Sequence, residues 1–237
     1  MRVVADYTLY YWPVPFRGQF IRAILAFAGK SWEERDAEAI GALMDLEPSQ
    51  QPVPFVGPPV LIDHSRDFAL SQMSAIATYL ADTLELVASA EHRAMTIKIT
   101  NDANDVIDEL TLDGGREMWT AKKWEEFTPR LEKWMSIWEA TAARNGVEKE
   151  RGYLLGTDEA GVADVVTATL WSTMADRFPP IAAMLDKVAP RTAGLTRRMQ
   201  ALPALAELKE RSFEMYGQAY CGGEIEKSLR KVLGVKD

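Results

Sequence analysis

The sequence predicts an α/β domain followed by an all-helical domain, on three observations. Up to Asp82, strand and helix signals alternate as βαβ, then a β-hairpin, then a helix. Between Asp82 and Glu91 the strand signals stop, and almost everything beyond carries the helical period. The division falls after residue 86, giving domains 1–86 and 87–237.

The first strand is predicted over Val3 to Trp12, which is rich in β-branched and aromatic residues, with Leu9 and Tyr11 on one face and Thr8 and Tyr10 on the other. Pro13 and Pro15 end it. From about Gly18 the apolar residues Phe20, Ile21, Ile24, Leu25, Phe27 and Ala28 recur at helical spacing, and Gly29 supplies the stop. A short apolar piece at Ser31-Trp32 is read as the second strand, leading into charged, helical sequence to about Leu46. A Pro-rich loop from Pro48 to Pro59 precedes a strand at Val60 to Ile62. The turn His64-Ser65-Arg66-Asp67 then joins it to a partner strand, Phe68 to Leu70. Ser71 is expected to cap the next helix, which places Ile76, Tyr79 and Leu80 on one face. Later helices are predicted over Ala94–Asp108, Phe127–Arg144 and Val162–Phe178, the last dense enough in apolar residues to be buried and ended by Pro179-Pro180. Two shorter helices follow, Leu195–Leu202 and Ala204–Phe213, separated by Pro203. The tail is expected to be partly helical.

Composition narrows the function. The 237 residues suit a soluble protein with a real core, and the net charge of −8 argues against sequence-independent nucleic-acid binding, which needs a basic surface. An anionic small ligand would need a local positive pocket. The single cysteine, Cys221, rules out an internal disulfide framework and fits a reducing, cytoplasmic setting. Asp6 lies inside what would be the apolar core of a signal peptide, so secretion is not expected. No run approaches the roughly 20 apolar residues of a membrane span. His64 and His92 have no companion at metal-ligand spacing, Gly114-Gly115 lacks the context of a phosphate loop, and no serine sits in a nucleophile elbow, so no metal site is expected.

Three local constellations carry chemistry. In Tyr10 to Arg22 a hydroxyl-bearing aromatic ends a strand where a cation opens a helix, an arrangement suited to a small anionic thiol ligand. Tyr11 is the candidate donor, because a thiol with a pKa near 8.5 is only a few per cent ionised at neutral pH. A hydrogen bond worth roughly 1.5–3 kcal/mol to the charged form moves that by about one to two units. Read locally, Tyr11 is more simply a strand aromatic filling the core. Arg17 is misplaced at a helix N-terminus, so something negative should compensate it. Pro58-Pro59 before Val60 is either a rigid trans turn or a cis bond offering backbone groups to a peptide-like ligand. Ser71-Gln72-Met73-Ser74 opens a helix whose free amides suit a carboxylate, with the Gln72 side chain adding specificity, or is simply a helix cap.

Together, in this order, the segments Leu9-Tyr10-Tyr11-Trp12-Pro13-Val14, Pro59-Val60-Leu61-Ile62-Asp63 and Leu70-Ser71-Gln72-Met73-Ser74-Ala75-Ile76 resemble the glutathione S-transferase superfamily, in particular its tyrosine-type pi, mu, alpha and sigma classes. The resemblance implies a thioredoxin-like N-terminal domain and an all-helical C-terminal domain, with glutathione as co-substrate. By it, Tyr11 stabilises the glutathione thiolate, Arg17 lies near the ligand, Pro58 presents backbone groups to the cysteinyl part, and Gln72 with the Met73 amide holds the γ-glutamyl end. Pro58-Pro59 is then cis, and Arg22 is the usual helix arginine. Trp12, Val14 and Phe16 border a pocket for a small hydrophobic electrophile, with Met118 and Trp119 as further candidates. A homodimer is implied, into which Asp102 or Asp105 reaches across. A non-catalytic binding or structural dimer, or a glutathione-dependent isomerase or peroxidase, are the alternatives on the same scaffold. Two departures stand out: Met73 replaces the usual serine, and Gly161 in Gly161-Val162-Ala163-Asp164 replaces the usual Ser or Thr cap. Phe213, Tyr216 and Tyr220 either fold over the site or pack elsewhere.

Overall fold

The structure, a computed structural model, describes residues 5–236. In its N-terminal domain β1 (Tyr7–Tyr10), α1 (Phe16–Phe27), β2 (Trp32–Arg35) and α2 (Ala37–Met44) are followed by β3 (Val60–Asp63), β4 (Phe68–Ser71) and α3 (Met73–Thr83). The strands form one mixed sheet in the order β2-β1-β3-β4, with β2 parallel to β1 and β3 antiparallel to both β1 and β4. Leu9 sits at its centre opposite Leu61, and the pair is buried with Ile21, Ile24 and Leu25 of α1 and Ile76 and Leu80 of α3. On the opposite face of β1, the Thr8 hydroxyl and His64 Nε2 share a hydrogen bond of 2.8 Å.

The sheet departs from the sequence-based expectation at its ends. β1 stops at Tyr10 rather than Trp12, because its partner β3 begins at Val60 and the preceding Pro59 has no amide to continue the ladder. Val3 and Val4 lie outside the described residues. The second strand is Trp32–Arg35, later than Ser31-Trp32; as an edge strand it puts Glu33 and Arg35 in solvent, a charged pattern that hides a strand among helical residues. Ser71 does not cap α3. It pairs with Val60 inside β4, and the N-cap is Gln72, whose side chain makes no capping bond.

The C-terminal domain consists of α4 (Ala90–Leu110), α5 (Leu112–Gly115), α6 (Ala121–Arg144), α7 (Val162–Arg177), α8 (Pro179–Val188), α9 (Pro190–Gln200), α10 (Pro203–Tyr216) and α11 (Gly223–Leu233). α4 and α6 start earlier than their apolar period shows, because Ser89 Oγ accepts from the His92 amide and Thr120 Oγ1 from the Lys123 amide. Pro179-Pro180 closes α7 as expected but also opens α8, which the sequence reading omits. Proline at the first helical position loses no bond, and α9 and α10 begin the same way. No helix among the described residues is long and apolar enough to cross a membrane.

α7 is buried nearly all round and packs against α4, α8, α9 and, across the domains, α1, so one continuous hydrophobic cluster runs from the sheet into the helical domain. Its first turn explains Gly161. Asp164 Oδ2 accepts from the Gly161 amide at 2.9 Å and Oδ1 from the Leu154 amide at 2.6 Å, while the Val162 amide donates to the Leu86 carbonyl at 3.2 Å. A Cβ at position 161 would stand 2.9 Å from that same carbonyl oxygen, so the side chain of a Ser or Thr cap has no room unless the interdomain backbone shifts. Gly161→Ser is therefore expected to destabilise the protein by about 1–3 kcal/mol despite the better intrinsic cap. A urea titration showing equal or higher stability would refute this account.

Candidate functional site

Three sequence segments meet at one end of the sheet. Tyr10 is paired with Val60, and Val60 with Ser71, so Tyr11, Pro59 and Gln72 are the next residues off three adjacent strands on the same side. At about 4.8 Å between strands, the outer two are roughly 10 Å apart. The Pro58-Pro59 bond is cis.

Tyr11 leaves the sheet edge and lays its ring on the backbone of α1. A Cβ at Gly18 would fall 2.3 Å from Tyr11 Cδ1, so glycine there is what lets the ring approach. The phenol is 4% exposed, and its oxygen accepts the Arg17 amide at 3.0 Å. This bond matters because α1 has no other local cap: its N-cap is Pro15, with no capping side chain and no acid in the first turn. Burial pushes the Tyr11 phenol up to about 12, against the lowering effects of the Arg17 charge and amide, the Arg22 charge and the Gly18 amide. It therefore stays protonated at neutral pH. With its oxygen engaged by Arg17, its proton is left to donate.

The loop beneath it is held by Arg22, which is 2% exposed. Its Nε and Nη2 donate to the two carboxylate oxygens of Glu34 at 2.7 Å each, and Nη1 donates to the carbonyls of Val14 at 3.0 Å and Pro15 at 3.3 Å. The guanidinium also lies 5.6 Å from the Tyr11 ring centroid and 5.1 Å from that of Tyr216. Glu34 was not singled out from sequence; a carboxylate alternating with exposed charges on an edge strand looks like solvated surface.

Arg17 does find an anion, and it belongs to the protein. Its Nε donates to Asn104 Oδ1 and its Nη2 to Asp108 Oδ1, each at 3.0 Å, both on α4. Sequence reasoning named neither of these two; the acids it singled out in this stretch, Asp102 and Asp105, were candidates for a contact across a dimer. Asp102 pairs with Lys98, and Asp105 is exposed, its carboxyl held above the usual range by desolvation and then by Asp102, Glu109 and Asp108. The available signal was the i, i+4 spacing of Asn104 and Asp108, which puts them on one helix face.

The other expected residues divide. Gln72 is exposed and held at φ 74°, ψ 123°, an uncommon backbone state for a side chain of its size. Met73 buries its side chain in the core, leaving its first-turn amide as what it can offer a ligand. Trp12 is 37% exposed, whereas Val14 and Phe16 are half-buried beneath the C-terminal segment. The Phe16 amide donates to the Tyr220 carbonyl at 3.2 Å, and the two rings meet edge-on at 5.5 Å. Met118 is exposed, but Trp119 is not a pocket wall: it is 5% exposed, donates its indole N–H to the Leu110 carbonyl at 2.9 Å and packs on Trp124 and Phe127. Tryptophan is placed there by helical-domain packing, which its position beside Met118 does not reveal.

The tail is now located. Glu226 Oε2 accepts from the amides of Tyr220, Cys221 and Gly222 at 2.9, 2.9 and 2.6 Å, and Oε1 accepts from Arg230. Tyr220 is thereby wedged between Phe16 and Phe178, while Tyr216 covers Arg22 and Phe213 lies under Arg177. Burial, then Glu226, pushes the Cys221 thiol up to about 12, so it is no nucleophile at neutral pH. Among the described residues no cluster of three or more His, Cys, Asp or Glu could hold a metal ion.

A family model described as glutathione S-transferase, C-terminal domain, matches residues 95–232. No curated protein matches the sequence significantly. Among solved structures, the chain is similar to a monomeric glutathione S-transferase from the hookworm Necator americanus (23% identity, TM-score 0.70) and to a Nu-class enzyme from Haemonchus contortus (22%, 0.67), each covering 87% of this chain and 97% of the other. It is also similar to prostaglandin synthase D of Nilaparvata lugens (21% identity, TM-score 0.66, covering 87% and 98%).

A folded-state phenol near 12 against 10.0 unfolded stabilises the protein below pH 10, and that contribution is lost as pH rises toward 12. The tyrosinate absorbance difference between wild type and Tyr11→Phe should therefore emerge only well above pH 10. A component titrating at or below pH 10 would contradict the buried, neutral phenol.

Proposed function

The chain belongs to the glutathione S-transferase family, whose C-terminal-domain model spans more than half of it, and from that premise we propose that Tyr11 activates glutathione for attack on a small hydrophobic electrophile. The observation that carries this reading is the convergence of Tyr11, Pro58-Pro59 and Gln72 at one end of the sheet. An extended tripeptide is about 10 Å long, the span of those three strand ends. Gln72 and the Met73 amide hold the γ-glutamyl carboxylate at the start of α3, Pro58 meets the cysteinyl backbone, and the thiol falls at Tyr11, with Arg17 nearby. Trp12, Val14 and Phe16 border the electrophile.

The thiol proton leaves to solvent, and Tyr11 donates its own hydrogen bond to the thiolate. The sulfur lone pair then forms the S–C bond while the leaving group departs with its electron pair, or the pair moves onto the acceptor and takes up a proton. A neutral phenol suits this role, since a phenolate would repel the thiolate. The domain division after residue 86, a cytoplasmic setting and a detoxifying role are parts of the same reading.

Spectroscopic titration of bound glutathione tests it. Tyr11→Phe should raise the thiol pKa by about one to two units and lower kcat/KM by roughly 10- to 100-fold; an unchanged thiol pKa sinks the mechanism. The proposed homodimer should sediment at twice the 26.5 kDa chain mass. A monomeric mass would leave one complete site per free chain and remove the cross-subunit acid from the account.

A further inference from the structure

We propose that Asn104 and Asp108, on α4 of the helical domain, are positioning residues for Tyr11, acting through Arg17. Arg17 meets Tyr11 by its backbone and α4 by its side chain. Its amide donates to the Tyr11 oxygen at 3.0 Å, while its guanidinium donates to Asn104 Oδ1 and Asp108 Oδ1 at 3.0 Å each. A helix start ordinarily keeps its geometry through a cap on its N-cap residue, and α1 has only the Tyr11 oxygen itself: Pro15 supplies no capping oxygen and Phe16 sits at φ 30°. The turn that aims the Arg17 amide is therefore held from outside, by Arg22 on the Val14 and Pro15 carbonyls, by Tyr220 on the Phe16 amide, and by α4 on Arg17. Of these anchors, the α4 pair acts on the residue that bonds the phenol.

The geometry also reassigns Arg17. A guanidinium committed to two α4 oxygens, with Phe16's ring 4.8 Å from its centre, is not a free cation waiting for a ligand. Its service to the thiolate is indirect. An N–H donated to the phenol oxygen makes the phenol a stronger donor to an anion. The orientation of the helical domain thus reaches the phenol through two hydrogen bonds in series, and the reacting thiol through a third, the one Tyr11 donates. The side chains of the Arg17–Asp108 ion pair are 24% and 45% exposed, so removing the Asp108 carboxylate does not threaten the fold.

The catalytic consequence rests on the proposed function, but the coupling itself does not, and the experiment separates them. Without any ligand, hydrogen exchange at the Arg17 amide should be faster in Asn104→Ala and Asp108→Ala than in wild type. With glutathione bound, each alanine variant should raise the thiol pKa by about one unit, or about tenfold less thiolate at neutral pH. Asp108→Asn, which keeps an Oδ1 acceptor, should recover most of that loss. The inference is overturned if Arg17 exchange is unchanged in folded alanine variants, or if Tyr11→Phe raises the thiol pKa while the alanine variants leave it unchanged or lower it. A fall would mean that Arg17, once released, serves the thiolate as a free cation. It is also overturned if Asp108→Asn loses as much as Asp108→Ala. If exchange quickens as expected while Tyr11→Phe leaves the thiol pKa unmoved, the coupling stands and the assigned chemistry fails.

Discussion

Arg22 is the constraint on which the site depends. A guanidinium almost wholly removed from water has to have its donors satisfied, and here they bind Glu34 bidentately and the carbonyls of Val14 and Pro15. Those bonds join an edge strand, α1 and the proline-bearing loop into one unit. Removing either charge would leave the other poorly paired, a loss of about 3–5 kcal/mol for a fully buried pair and less here, because Glu34 retains 24% exposure. With the loop fixed, the Tyr11 ring has one place to lie, against Gly18 and beside the arginine.

α1 is consequently shared between the domains. One face packs against α3, another against α7 and α10, and its first turn is tied by Arg17 to α4. A helix whose start is fixed by tertiary bonds transmits the placement of its neighbours to the residues at that start. The tail contributes in the same way: Glu226 and Arg230, both buried, hold Tyr220 against Phe16. The surface around Phe16 is thus shaped by residues more than 200 positions apart in the chain.

The same logic accounts for the two departures from the family pattern. Gly161 forgoes a capping hydroxyl because the Leu86 carbonyl occupies the space a side chain would need, and Asp164 supplies the bonds that hold the turn. Met73 gives up a hydroxyl but fills the core beneath α3 while its amide stays at the helix start. In both places the side chain follows the local packing while the backbone groups of the turn keep their positions.

Periodicity and punctuation determined much of the fold. The apolar spacing of α1, the alternation around Leu9, the turn at His64 to Asp67 and the dense apolar run of α7 are local signals, and local stereochemistry is enough to realise them. Tyr11, Pro58-Pro59 and Gln72 each read locally as structural residues, and only their common order, through the family resemblance, marked them as one candidate site. What sequence could not decide were effects of partners distant in the chain. Ser71 became a strand residue because Val60 pairs with it, prolines that end one helix began another, and Trp119 went into the core rather than a pocket. Arg17 looked misplaced because its counter-ion, Asp108, is 91 residues away. Such pairings depend on how two domains dock, and docking is set by the shape of their combined core rather than by any local run of residues.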